Sequence, residues 1–376
     1  MSNQDFVRSL PSGAGLVRQR SLYRWHLDPP LLLVLLLITA YGLVVLYSAV
    51  DRDQTVFSAQ LIRMGMAVVA MLVAAQFDPR FYLRWAPVVY VLGIGLLVAV
   101  LLVGVRVKGS QRWLDLPGLP RFQPSELMKI AVPLMLGWYL NDRALPPRFK
   151  HLVVSLALIA LPAGLVIIQP DLGTGLLVSA AGLSVVVLSG VSWRWIGLAV
   201  LSAALVAPGL WLFLKDYQQE RVLTLFDPER DPLGAGWNII QSKTAIGSGG
   251  VFGKGLFEGT QSHLEFLPES QTDFIIAVVG EELGLVGVAA LLLAYLVVIS
   301  RGLYIATQAP NTFGRLVVGG LTLTFFAYVF VNIAMVCGLL PVVGIPLPLV
   351  SYGGTSAITL MAGFGIVMAI HTHRGW

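Results

Sequence analysis

The sequence predicts an all-α integral membrane protein of about ten transmembrane helices with one long extracytoplasmic loop. Composition is the first observation behind that prediction. Hydrophobic residues make up 56% of the 376 and charged residues only 12%, where a soluble domain carries about 25% charged residues. The second is that the apolar residues gather into runs near the roughly 20-residue length of a bilayer-crossing helix. These runs fall at 30–49, 57–77, 83–104, 125–140, 152–168, 173–191, 195–214, 273–299, 314–339 and 352–371. The third is the placement of Lys and Arg, which are in modest excess on the side that holds both chain ends. That bias, with an even number of spans, predicts cytoplasmic termini. One polytopic domain over 1–376 is expected, with no internal repeat and no low-complexity tract.

The tail 1–28 holds Arg8, Arg18, Arg20 and Arg24 and no apolar stretch. It is read as a cytoplasmic tail without a cleavable signal, so the first apolar run directs insertion. The net charge of +5 does not indicate a nucleic-acid partner, because the basic residues flank apolar runs. Arg63 lies inside the second run and needs a partner that the sequence does not name.

Two outer loops are expected, at 105–124 and 215–272. The first carries Arg106-Val-Lys108-Gly-Ser-Gln-Arg112-Trp113. The fourth run then opens with Gln123-Pro-Ser-Glu126-Leu-Met-Lys129. Glu126 and Lys129 are i and i+3, so they share a helix face and can pair. Such a pair either fixes packing or forms a charged wall of a substrate cavity. In Gln169-Pro-Asp171-Leu-Gly-Thr174, Asp171 can cap the sixth helix, ligate a cation or face substrate.

The loop 215–272 is the one long polar segment. Its Trp237, Ile239, Ile240, Phe252, Phe257 and Phe266 argue that it is ordered. The glycine run 247–255 could offer backbone N–H groups as an anion nest, but it lacks the Gly-Lys-Ser/Thr ending of a nucleotide-binding loop. Arg106, Lys108, Arg112, Arg221, Lys243 and Lys254 are candidate phosphate binders, since both side-chain types suit phosphate oxygens. Lys243 is also placed with Asp171 as a candidate for the cavity.

The stretch Leu267–Gly287 closes that loop and starts the eighth run. Asp273 is expected at the N-terminus of one continuous helix. Ser270-x-x-Asp273 has capping-box spacing, and an acid there suits the helix dipole. Glu281 and Glu282 would then lie about 12–13 Å deeper at 1.5 Å per residue. A carboxylate in hydrocarbon costs roughly 3 kcal/mol and is a functional-site hypothesis by default. The single Cys337 allows no disulfide within the chain. His371 and His373 lack further ligands, so no metal site is assigned there.

Taken together, these motifs resemble the SEDS family (shape, elongation, division and sporulation). The resemblance rests on Arg112-Trp-Leu-Asp-Leu, Arg121-Phe-Gln-Pro-Ser-Glu-Leu-Met-Lys129, Gln169-Pro-Asp-Leu-Gly-Thr174 and Gln241-Ser-Lys-Thr-Ala-Ile-Gly-Ser-Gly-Gly250. It continues through Leu267-Pro-Glu-Ser-Gln-Thr-Asp-Phe-Ile275, Glu281-Glu-Leu-Gly-Leu-Val-Gly287 and Pro346-Leu-Pro-Leu-Val-Ser-Tyr-Gly-Gly354. It covers about residues 28–376. Leu27-Asp28-Pro29 and the tail Met361–Arg374 look like the elongation branch rather than the division paralogue. Gln271 and Thr355 depart from the residues common in relatives.

The resemblance implies a ten-helix glycosyltransferase of the bacterial cytoplasmic (inner) membrane. It would polymerise lipid II on the outer face and release polyprenyl diphosphate. It would work with a class B penicillin-binding protein (a transpeptidase), with other elongation-complex proteins and among membrane lipids. The matching essential aspartate is Asp273, and the matching cavity pair is Glu126 and Lys129. The chemistry suits one carboxylate base and inversion, with cations or a divalent metal ion (Mg or Mn) on the leaving diphosphate. A lipid flippase or a non-catalytic scaffold would use buried charges as readily.

Overall fold

The computed structural model describes residues 25–107, 110–115, 121–212, 216–230, 235–263 and 269–373. The expectations for the tail 1–24 and for Lys108 lie outside these residues. The first seven apolar runs form α1 (Pro29–Ala49), α2 (Gln54–Gln76), α3 (Pro79–Val103), α4 (Pro124–Asn141), α5 (Phe149–Ile168), α6 (Leu172–Leu188) and α7 (Trp193–Trp211). Their starts are written in the sequence. Asp28, Asp53, Asp78 and Asp171 each accept a hydrogen bond from a first-turn N–H of the helix they open, satisfying donors that a helix end leaves orphaned.

The loop 215–272, expected to be ordered, is largely helical over its described residues. It contains α8 (Asp216–Phe226), α9 (Ala235–Gly249) and the short α10 (Thr260–His263). The loop 105–124 is built on an antiparallel hairpin, β1 (Val105–Val107) with β2 (Ser110–Trp113), extended by a bridge between Leu114 and Phe122.

The eighth run is not one helix. It forms α11 (Ile275–Glu282) and α12 (Gly284–Gln308), broken at Leu283–Gly284. Gly284 has φ +65°, and a Cβ there would lie 2.3 Å from Gly253 N. A residue that must turn left-handed against another backbone is glycine's province. The chain ends with α13 (Thr312–Val336) and α14 (Thr355–Thr372).

Seven of the described helices are long and apolar enough to cross a membrane: α1, α2, α3, α5, α12, α13 and α14. The protein is a multi-pass membrane protein. Chain continuity makes α4, α6 and α7 run between the same two faces. One face, the terminal face, holds residues 25–28 and 373. There Arg301 of α12 forks onto Asp28 at 2.6 and 3.1 Å, and His371 of α14 approaches the same carboxylate at 3.4 Å. The opposite face, the loop face, holds the hairpin and α8–α11.

Helix α13 is the axis of the bundle and the most buried of these spans. Small residues let its neighbours close on it. Gly319 and Gly320 receive Leu188 and Val185 of α6, and Gly302 of α12 receives Thr322, as helix packing in lipid favours. After α13 the chain dips back into the bundle. Tyr295, eleven residues into α12, donates to Pro348 O at 2.7 Å, which puts residues 346–350 about 16 Å below the α12 start. Leu347, Leu349 and Val350 are buried there. Non-helical backbone is tolerated at that depth only inside protein. The same segment supplies the partner of Arg63, whose guanidinium lies 4.5 Å over the Tyr352 ring.

Candidate active site on the loop side of the central helix

Pro124 opens α4, and its first two turns carry Glu126 and Lys129 inward. The pair expected from their spacing forms, with Lys129 Nζ 2.6 Å from Glu126 Oε1 and both side chains buried. Tyr328 of α13 completes it. Its hydroxyl accepts from Lys129 Nζ and donates to Glu126 Oε2 at 3.4 Å. A buried charge pair satisfied on both members in this way avoids the penalty of an unpaired ion. Lys129 and Tyr328 also border a small cleft of about 20 Å³ between α4, α13 and α14, whose other walls include Thr324, Thr359, Gly363 and Phe364.

Asp171 caps α6 through Thr174 N at 3.2 Å. Its other oxygen accepts from Gln123 Nε2 at 2.8 Å and faces Arg112 Nη1 of the hairpin at 3.3 Å. Capping and placement beside the Glu126 helix are therefore combined in one residue. Gly173 then lets residue 343 approach, since a Cβ there would lie 2.6 Å from Val343 O.

Asp273 lies across that segment. A Cβ on Gly344 would sit 3.4 Å from its Oδ2. Its main-chain carbonyl accepts from Asn332 Nδ2 at 2.8 Å, and the same amide reaches Ile345 O at 2.7 Å. Ser351 holds Thr272 O, and Tyr352 N bonds Gln271 O. Tyr328 and Asn332 are i and i+4 on α13, so they lie on one face about 6 Å apart along the axis. One stripe of the central helix thus joins the Glu126–Lys129 pair to the turn carrying Asp273.

Two expectations about Asp273 are corrected. The N-cap of α11 is Phe274, and it makes no side-chain cap, so the Ser270–Asp273 capping box does not form. The carbonyls of Thr272 and Asp273 are drawn to Ser351 and Asn332, which keeps 269–274 as a turn. The expected depth order is also reversed. Glu282 accepts from Ser48 at 2.7 Å, one residue before the loop end of α1. Asn332 is four residues inside the loop end of α13. Asp273 is therefore the deeper residue, and Glu281 and Glu282 lie at the rim.

The glycine run does not form an anion nest. Its N–H groups are committed to the α11 end, Lys254 N to Glu281 O and Gly255 N to Glu282 O, both at 3.0 Å. Lys254, one of the phosphate candidates, is engaged within the loop. Its ammonium is 2.7 Å from the buried Glu281 carboxylate and donates to Thr260 at 2.8 Å. Burial works to raise the Glu281 pKa, but Lys254, the Gln261 N–H and the Thr260 hydroxyl together hold it below the ordinary value.

The other cations are spread over the loop face. Arg106 is exposed on β1, Arg221 is half-buried on α8, and Lys243 is exposed on α9. Lys243 reaches over the end of α13, its Nζ 2.7 Å from where a Gly338 Cβ would stand. Arg112 is the candidate whose partner is Asp171, which places it beside the Glu126 helix. Sequence reasoning missed Tyr328, Asn332, Gln123 and Ser351 as parts of the site. The signal for the first two was a polar pair at helical spacing in an otherwise apolar run.

Comparison with known proteins places this arrangement. The family model described as cell cycle protein, for FtsW, RodA and SpoVE, matches residues 29–375. The chain belongs to the FtsW/RodA/SpoVE family. Within this family it is 57% identical over 350 residues to peptidoglycan glycosyltransferase MrdB of Escherichia coli strain K12, covering 93% of this chain and 94% of that one. It is 35% identical to stage V sporulation protein E of Bacillus subtilis, over 91% of this chain and 97% of the relative. A family fold of 32% identity, in a structure titled for coordination of polymerization and crosslinking by a peptidoglycan synthase complex, superposes with a TM-score of 0.82. It covers 93% of this chain and 99% of that one. The Thermus thermophilus rod shape determining protein RodA, 29% identical, superposes with a TM-score of 0.71 over 92% of this chain and 97% of that one.

Proposed function

We propose that this peptidoglycan glycosyltransferase polymerises lipid II at the loop face, with Asp273 as general base. The observation that carries the reading is the Tyr328–Asn332 stripe. It gathers Asp273, the Glu126–Lys129 pair and the Asp171–Arg112–Gln123 cluster around the loop-side half of one helix. Lipid-linked sugars present their diphosphates at that level, just inside the bilayer surface.

Glycan extension requires an acceptor hydroxyl to lose its proton as it attacks the anomeric carbon of the donor. Asp273 takes that proton. The polyprenyl diphosphate leaves from the opposite face, so one displacement inverts the anomeric centre. Developing charge on the diphosphate calls for preorganised cations. Arg112, held against Asp171, and Lys243, over the end of α13, are candidates for this role, as are Arg106 and Arg221 on the loop face. Glu126, Lys129 and Asp171 serve as the cavity wall. Tyr328 and Asn332 hold that wall and the Asp273 turn in register.

Among the described residues, no three His, Cys, Asp or Glu side chains cluster as a metal cage. Magnesium usually binds through one or two carboxylates plus substrate phosphates, and Asp171, already oriented by Arg112 and Gln123, fits that limited demand on the leaving-group side, away from the base Asp273. A Mg or Mn ion held there with the substrate diphosphate would neutralise leaving-group charge.

The excess of Lys and Arg on the terminal face supports cytoplasmic termini and a loop face outside the cytoplasmic membrane. The likeness to the rod shape determining protein RodA supports a role in cell elongation, where a class B penicillin-binding protein would be its partner. The family likeness to a chain of a peptidoglycan synthase complex supports the same partner. The test is polymerisation of lipid II by purified protein. Strand synthesis that is lost in Asp273→Asn supports the proposal. Lipid scrambling without synthesis would replace it with a flippase.

A further inference from the structure

The glycine run, freed from any phosphate role, forms a rigid turn with an apolar tip. Gly249 ends α9, and Gly250 and Gly253 take φ +58° and +78°. Leu285 N bonds Gly250 O at 3.0 Å and Val286 N bonds Val251 O at 3.1 Å, fastening the turn to the first turn of α12. The backbone is pressed so close that a Cβ on Gly253 would lie 2.1 Å from Glu282 O. Between these anchor points Val251 and Phe252 project outward, 53% and 84% exposed. The nearby cations are engaged elsewhere. Arg52 lies 4.5 Å over the Phe257 ring, and Lys254 is paired with Glu281.

We propose that Val251 and Phe252 form an interfacial membrane anchor, seated among the lipid headgroups and upper acyl chains beside α12. Two observations identify lipid as the occupant. The tip is continuous with the bilayer-facing side of α12, where Leu285, Val286, Leu293 and Leu296 are all exposed apolar residues. Its depth also fits. Helix α12 has 25 residues, or about 37 Å at 1.5 Å per residue, against a hydrocarbon core of about 30 Å. The first turn of α12, and the tip bonded to it, therefore fall in the interfacial zone where aromatic side chains concentrate. An exposed apolar pair on a stiff turn in water would be a liability; in that zone it is buried. Because the turn also grips Glu281–Gly284, its seating fixes the height of α11, whose other end starts beside Asp273.

The test uses the full chain in lipid nanodiscs with no partner protein. Cys337→Ser removes the one native cysteine, and Phe252→Cys or Val251→Cys carries a nitroxide. Collision with oxygen and with a water-soluble nickel chelate is measured by power saturation. Leu293→Cys serves as the lipid-facing control and Glu258→Cys as the aqueous one. The proposal expects oxygen to relax labels at 251 and 252 more than the chelate does, at a depth between the two controls. Labels that track Glu258 would show the tip in water and overturn it, leaving the patch for an extracytoplasmic protein partner. Substitution at these exposed positions does not disturb packing, and the Leu293 control verifies insertion in the same preparation.

Discussion

Removing one member of the Glu126–Lys129 pair is the most informative perturbation of the site. The ions are 2.6 Å apart with 6% and 4% of their side chains exposed. At an effective dielectric near 20, that separation is worth roughly 6 kcal/mol. Taking each ion out of water costs several kcal/mol, so the intact pair contributes little net stability. Breaking it is different, because the surviving charge keeps its desolvation penalty and loses its partner, a cost of about 3–5 kcal/mol. Glu126→Gln and Lys129→Met should therefore each destabilise by that amount. The double variant should cost no more than either alone, giving a coupling energy of about 3 kcal/mol or more. Tyr328→Phe removes a hydroxyl bonded to both ions and should cost about 1.5–3 kcal/mol. The assay is reversible unfolding in mixed micelles, with lipid II polymerisation measured on the folded fraction. Single losses below about 1 kcal/mol, or a double loss additive within about 0.5 kcal/mol, would refute the coupled-pair argument.

Asp273→Asn should lower polymerisation roughly 100-fold or more while the main-chain bond from Asn332 persists; near-parental turnover by the folded variant would remove Asp273 from the mechanism. Gly284→Ala forces a side chain into φ +65° against Gly253 N, and the left-handed backbone alone should cost about 1–2 kcal/mol. Gly65→Ala in α2 meets nothing within 4 Å and should be neutral or stabilising by up to about 1 kcal/mol, and equal thermal unfolding of the two variants would count against a required break at 283–284. The lowered pKa of Glu281 means that its contribution to holding 254–261 is complete above the ordinary glutamate range and fades as pH falls through the lower folded-state value. Hydrogen exchange at Lys254, Gly255 and Gln261 should rise only below about pH 4.5, and a Glu281→Gln protein should lose that step.

What the sequence by itself determined is whatever local chemistry or the bilayer dictates. Hydrocarbon thickness sets helix length, so nine of the ten apolar runs marked their spans to within a few residues, the eighth being the exception. Asp28, Asp53, Asp78 and Asp171 each cap a helix through its own first turn, though of these only Asp171 is read as a cap from the sequence. Glu126 and Lys129 paired because i, i+3 neighbours meet on any helix. Only the tertiary structure decided which of these local units face one another. The contacts that make the site join Glu126 to Tyr328, Gln123 to Asp171 and Asp273 to Asn332, across separations that no periodicity encodes. Lipid-facing and helix-facing surfaces are both apolar, so hydropathy did not reveal α13 as the axis. The break at Leu283–Gly284 was hidden for the same reason. Its cause is backbone from 250–255 closing on the α11–α12 junction, and that contact set Asp273 below Glu281 and Glu282 rather than above them.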